Sequence, residues 1–313
     1  MRFVIMSAAC HLAFSFIAPI LRDDEGLLPT PGTLWNWDNW SWELSIVIPL
    51  LMLPIWYRIG ALRRGRQAGL SKYHLAFAAG WTSLCLALVS PLHRLGDVLF
   101  SAHMFQHEIQ LLIAAPLIAA SHSGVTMLYA MPRITRQPVG ARITTIENNT
   151  PFSIVFSPLG AFTIHAAALW LWHIPYLYQA TIESDFLHAL QHLSFFLSGV
   201  LFWSALFGAG RSKMTYGAGV LYVFGTAAHC SALGALLTFS SVIWYPIYTD
   251  RTELWHLTPL QDQQIGGLLM WVPSGVVFIL IGIWMFARWL AASEQHLKHG
   301  VLSDLAIESK EHA

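Results

Sequence analysis

Apolar residues in this chain do not come and go at the 3.6-residue spacing of a soluble amphipathic helix; they run on. A helix crossing a hydrocarbon core of about 30 Å needs about 20 mostly apolar residues. Seven stretches meet that length, at 42–60, 73–91, 97–120, 156–178, 186–208, 215–245 and 264–290. The third is expected to run on toward Met131. The sixth is long enough to imply tilt, a break or an early end. Residues 3–20 are also apolar, after a lone Arg2, and read either as a signal segment or as a short extra span. No soluble domain fits between the spans. The pattern predicts an all-α, polytopic membrane helix bundle of seven transmembrane helices. It divides into a hydrophobic segment and Trp-rich outer loop over 1–41, a transmembrane domain over 42–290 and a polar cytoplasmic tail over 291–313.

Composition agrees. Charged residues make up 11% of the 313, against about 25% in soluble domains. Lys+Arg and Asp+Glu number 17 each, so the formal net charge is zero. A basic nucleic-acid binder and a disordered tail protein are both excluded. The expected surroundings are a lipid bilayer, with no nucleic-acid partner. Cys10, Cys85 and Cys230 are widely spaced, with no Cys-x-x-Cys pair and no covalent haem attachment site. They read as small buried apolar side chains.

Basic residues set the orientation. Thirteen of the 17 fall on one side, among them Arg58, Arg63, Arg64, Arg66 and Lys72 after the first span and Arg133, Arg136 and Arg142 after the third. Arg2, Arg22, Arg94 and Arg251 fall on the other. The segment 21–41 is therefore expected outside and the C-terminus in the cytoplasm. Trp35, Trp37, Trp40 and Trp42 gather before the first span and read as an aromatic belt at headgroup level.

Histidine is the anomaly: 15 residues in a chain that excludes other ionisable groups. The third and fifth spans, both running inward, open with His103-Met104-Phe105-Gln106-His107 and His188-Ala189-Leu190-Gln191-His192. Residues four apart share one helix face, so each pair can aim two imidazoles at one point. His173 ends the outward-running fourth span at the same depth. Imidazole is a common ligand for Zn, Cu, Fe and Ni. Ligating rings need a partner on the second nitrogen, a role open to Gln106 and Gln191, and also to Gln110. Asp262 and Gln264, where the seventh span begins, are further candidates, although Asp262 could simply cap its own helix. The competing reading is that these histidines hydrogen-bond across helices or to headgroups. His93 is a possible sixth member of the layer. His165 and His229 lie deeper, and either continue a transfer path or are satisfied core residues.

In order along the chain, His103-Met-x-Gln-His107, Leu-Trp-x-Trp-His173-x-Pro-x-Leu-Tyr178, His188-x-x-Gln-His192 and Asp262-Gln-x-x-Gly-Gly267-x-x-Met-Trp271-x-Pro273 resemble the CtaG family. These are polytopic assembly factors of bacterial haem-copper cytochrome c oxidases, distinct from the cysteine-based single-span copper chaperone of the same name. The resemblance covers roughly residues 40–290. It implies a seven-span protein of the bacterial inner membrane that matures the oxidase by handling copper on the outer side. Oxidase subunits or copper chaperones would be its partners. His103, His107, His173, His188 and His192 are then the expected metal ligands. Zinc or haem b would suit imidazoles equally. A b-type haem electron carrier and a non-metal scaffold or transporter are the rival readings. No nucleotide loop or nucleophile elbow is visible, and no enzymatic activity is expected.

Overall fold

The computed structural model describes residues 28–65, 71–148, 152–207 and 214–311. Residues 1–20 and the basic residues Arg66, Arg211 and Lys213 lie outside them. The described residues are mostly helical, with no strand among them. In chain order we number α1 (Leu44–Arg63), α2 (Lys72–Leu88) and the short α3 (Pro91–Gly96). Helix α4 runs over Phe100–Glu108, widens into a π-helical stretch at Ile109–Ala114 and continues over Ala115–Ala120. Then come α5 (Ser123–Leu128), α6 (Arg133–Asn148), α7 (Phe152–Val155), α8 (Pro158–Trp172) and α9 (Pro175–Glu183). Helices α10 (Asp185–Leu206), α11 (Tyr216–Thr238) and α12 (Pro259–Glu311) complete the bundle.

Four of these helices are long and apolar enough to cross a membrane: α1, α10, α11 and α12 up to Glu294. Their outward faces carry Leu51, Ile55, Leu280 and Ile283, each at least half exposed. Large apolar side chains on a helix exterior at this density call for an apolar surrounding phase. Helices α2 (17 residues) and α8 (15 residues) are shorter, and α4 is divided by its π-helical stretch.

Local sequence explains where the helices begin and end. Ser157 precedes Pro158, and its Oγ accepts from the Gly160 N–H at 3.0 Å; the Pro ring presets the first turn. Ser90 and Pro91 do the same for α3. The expected span 156–178 stops at His173 because Pro175 disfavours helical backbone at Ile174. The continuation toward Met131 breaks at His122, in left-handed backbone at φ 54°. The 215–245 stretch ends early, at Thr238. Pro116 has no N–H to give the Leu112 carbonyl, which accounts for the wide turn just before it.

The lower core stacks Tyr57 on Phe77 (3.7 Å between centroids) and Phe202 on Tyr222 (4.7 Å). At that end the basic loops converge. Arg64 and Arg136 both lie over the Tyr129 ring, at 5.4 and 4.4 Å, and Arg63 donates to the Ala130 carbonyl. The upper core is built from Phe100, Met104, Tyr178, Phe195, Tyr245 and Tyr248, all at or below 2% exposure. Phenol hydrogen bonds tie the upper connections together. Tyr248 donates to the Gly96 carbonyl, Tyr178 to Tyr248, and Tyr245 to the His173 carbonyl, each at 2.9 Å. Burial holds the Tyr248 phenol well above its usual pKa range, so it remains a donor.

Helix α12 is clamped from two sides through adjacent glycines. A Cβ on Gly267 would lie 2.5 Å from Thr238 Oγ1 and 2.8 Å from the Gly234 carbonyl oxygen of α11; one on Gly266 would lie 2.3 Å from the Phe100 ring of α4. Gly267→Ala should therefore push α11 and α12 apart and cost about 1–3 kcal/mol. Gly282→Ala, with open space around it, should be neutral within about 0.5 kcal/mol. Thermal unfolding of the two variants in detergent checks the contrast.

Candidate metal centre

The upper end of the bundle collects imidazoles from four directions. Helices α4 and α10 both start there, which makes them parallel. Their first turns present His103 with His107, and His188 with His192. Helix α8 ends there at His173, and α3 brings His93 in from the side. All six are buried, at 6% exposure or less.

Five of the six rings touch one another. Centroids are 4.5 Å apart for His103–His107, 4.6 Å for His188–His192 and 4.7 Å for His107–His192. His103 stacks on His188 at 5.1 Å and His93 on His188 at 4.9 Å. Two trios each bring one ring nitrogen per residue within 4.8 Å of one another: His103, His107 and His192; and His93, His188 and His192. The i,i+4 pairing read from the sequence thus converges across two helices. His173 belongs to neither trio. Its Nε2 faces Met104 Sδ instead, at 3.4 Å.

Hydrogen bonds distinguish the trios. Gln106 Nε2 donates to the Ala87 carbonyl at 2.9 Å and to His93 Nδ1 at 2.8 Å. Turning that amide over would set oxygen against the Ala87 carbonyl, so its orientation is fixed. A neutral His93 consequently holds its proton on Nε2 and accepts on Nδ1, and neither nitrogen has a lone pair to spare. The other trio differs. Both ring nitrogens of His107 are buried without a hydrogen-bond partner, as is Nδ1 of His103. His103 Nε2 meets Gln191 Oε1 at 3.1 Å. His192 Nδ1 meets Gln110 Nε2 at 2.7 Å, while its Nε2 lies 2.8 Å from His188 Nε2. Oε1 of Gln110 has no partner. With that amide reversed, its oxygen would accept from Nδ1–H and Nε2 of His192 would become the lone pair, facing His188. Buried unpaired polar atoms each cost about 1–3 kcal/mol, so their concentration in one layer makes that layer the candidate site.

The seventh-span residues take different roles from those expected. Asp262 neither contacts the histidines nor caps its own helix. Its carboxylate accepts from the Phe100 N–H (2.6 Å) and from the Ser101 N–H (3.1 Å) and hydroxyl. It therefore caps α4 from outside, where the residue at the cap position, Leu99, has no acceptor of its own. Gln264 turns away to the Ser240 carbonyl, at 3.0 Å, and Gln263 secures the 242–244 loop. Of the deeper histidines, His165 donates through Nδ1 to Ser198 Oγ at 3.2 Å. It lines a cavity of about 30 Å³ with Glu108, Cys230, Met270 and Ser274. His229 Nδ1 lies 3.8 Å from Cys230 Sγ. No bond or ring contact joins either one to the upper layer.

Sequence reading reached His93 only as a marginal member and paired no residue with His173. Ser90-Pro91 was the available signal for His93, since it starts a separate short helix. Met104 stands near the layer in the sequence but off the face of His103, so nothing local pairs it with His173.

A helical bundle with membrane-length apolar helices and a buried imidazole cluster at one end is the class this structure defines. The chain belongs to the cytochrome c oxidase caa3 assembly factor family (Caa3_CtaG), whose model matches residues 55–292. It is also similar to proteins named only as uncharacterized. It is 24% identical over 277 residues to one from Mycobacterium bovis and to one from Mycobacterium tuberculosis, and 25% identical over 273 residues to one from Mycobacterium leprae. Each alignment covers 84% of this chain but 41% of the relative, so the chain spans about two fifths of the length of these proteins. No solved structure matches.

Asp262→Ala should uncap α4 and cost about 1–2 kcal/mol, with Asp262→Asn retaining part of that. Denaturation of the two variants in detergent, monitored by helicity, checks the order.

Proposed function

We propose that this chain is a seven-span inner-membrane assembly factor that binds copper as cargo at the outer surface and passes it to an oxidase subunit. In this reading α1, α2, α4, α8, α10, α11 and α12 are the seven crossings. The end holding Arg63, Arg64 and Arg136 faces the cytoplasm, by the positive-inside rule, and the histidine layer faces outward. Family membership supports the assembly role.

The observation that carries the metal reading is His107. It is buried, neither ring nitrogen has a partner, and it stands in a trio with His103 and His192. These three would hold the ion. Gln191 and Gln110 would hold the second nitrogens of His103 and His192, as outer partners of ligating imidazoles do. His188 would take over as His192 is released from their mutual contact. The residues fit an ion in size and chemistry: three neutral nitrogen donors, near enough to close around one centre with little movement. Centroid separations of 4.5–5.6 Å among His103, His107, His188 and His192 are too short for two rings to ligate opposite faces of a haem.

Purified full-length protein should take up about one equivalent of copper at this trio, and His107→Ala with His192→Ala should remove it. Metal analysis showing equal copper in wild type and double variant would end the proposal. Gln110→Leu leaves the trio intact but removes the support on His192. Its copper affinity, measured by chelator competition, should fall about 10–100-fold.

A further inference from the structure

The histidine trio does not choose its metal, since imidazole serves Zn and Cu alike. The pair beside it does. His173 ends α8, and its Nδ1 lies 2.7 Å from the Leu169 carbonyl oxygen. A carbonyl only accepts, so Nδ1 carries the proton. In the neutral ring Nε2 is then a bare lone pair. It points at Met104 Sδ, 3.4 Å away, and a thioether has no proton to offer. Two electron-pair donors face each other with nothing between them. His173 is 3% exposed and Met104 1%. A hydrogen bond here would require a doubly protonated imidazolium, whose burial is costly.

Both donors are held in place. Tyr245 donates to the His173 carbonyl at 2.9 Å, and the ring packs against Phe195 and Tyr178. Met104 lies against Gly266, where an added Cβ would come within 3.4 Å of its Cγ. With metal–nitrogen and metal–sulfur bonds of about 2.0 and about 2.3 Å, a separation of 3.4 Å suits one ion at an angle of roughly 105°, close to tetrahedral. A thioether is a soft, uncharged donor that suits Cu(I).

We propose that His173 and Met104 form a second, soft-ligand station for Cu(I), one residue along α4 from the trio. This rests on the copper-cargo reading and adds to it the oxidation state and a second stop. Binding there involves no electron transfer and releases no proton, because both donors are neutral and unprotonated at the ligating atom.

The test uses full-length protein in detergent, loaded anaerobically with Cu(I) or, separately, Zn(II). X-ray absorption at the copper edge should show mixed nitrogen and sulfur ligation in wild type. Met104→Leu conserves side-chain volume. It should lose the sulfur shell and weaken Cu(I) binding by about tenfold or more. Zn(II) uptake should stay unchanged, which also reports an intact fold. A wild-type copper shell of nitrogen alone, or equal Cu(I) affinity in Met104→Leu, overturns the station while leaving the trio standing. Sulfur ligation that persists when His107→Ala and His192→Ala leave copper content unchanged overturns the trio and keeps the station.

Discussion

Six imidazoles are buried at one end of an apolar helical bundle, and each ring nitrogen placed there must be hydrogen-bonded, bound to a ligand or left at a cost of about 1–3 kcal/mol. The rest of the upper structure answers that requirement. Gln106, Gln110 and Gln191 reach into the layer from the histidine-bearing helices themselves. Buried tyrosines and Phe100 pack around them. Phenol hydrogen bonds join the loops on that side. Once these contacts are made, the nitrogens of His107 and Nδ1 of His103 stay unpaired and Nε2 of His173 faces only a thioether, and that pattern is more informative than the count of histidines.

Holding the layer in register is a packing problem solved some distance away. The glycine pair at 266 and 267 lets α12 approach α11 and α4 together. The same approach delivers Asp262 to the start of α4, where the Phe100 and Ser101 amides have no local acceptor. One carboxylate from the last helix thus fixes the first turn of the helix that carries His103 and His107. A helix start anchored in this way cannot fray, and the two imidazoles cannot drift from their partners on α10.

Much of this was legible in the chain. Long apolar runs marked the helices. The spacing of four from His103 to His107, and again from His188 to His192, announced two pairs that each share one helix face. Other features were hidden because they depend on which helices become neighbours. Asp262 reads as a cap for its own helix, and nothing local shows that it caps another 161 residues away. Gln264 reads as a partner for the histidines, yet the 240 loop folds back and takes it. Met104 sits off the helix face of His103, and only the end of α8 places His173 against its sulfur.

The sequence by itself determined the class of molecule: too apolar and too poorly charged to fold around a watery surface, with imidazoles spaced by one helical turn. Periodicity is a local property, and a helix displays it without any neighbour. Tertiary structure alone decided which nitrogens lack a proton or a partner, because that depends on carbonyls and amides delivered from elsewhere. The Ala87 carbonyl fixes Gln106 and so takes His93 out of contention as a ligand. The Leu169 carbonyl fixes His173 and so turns its other nitrogen into a donor facing sulfur.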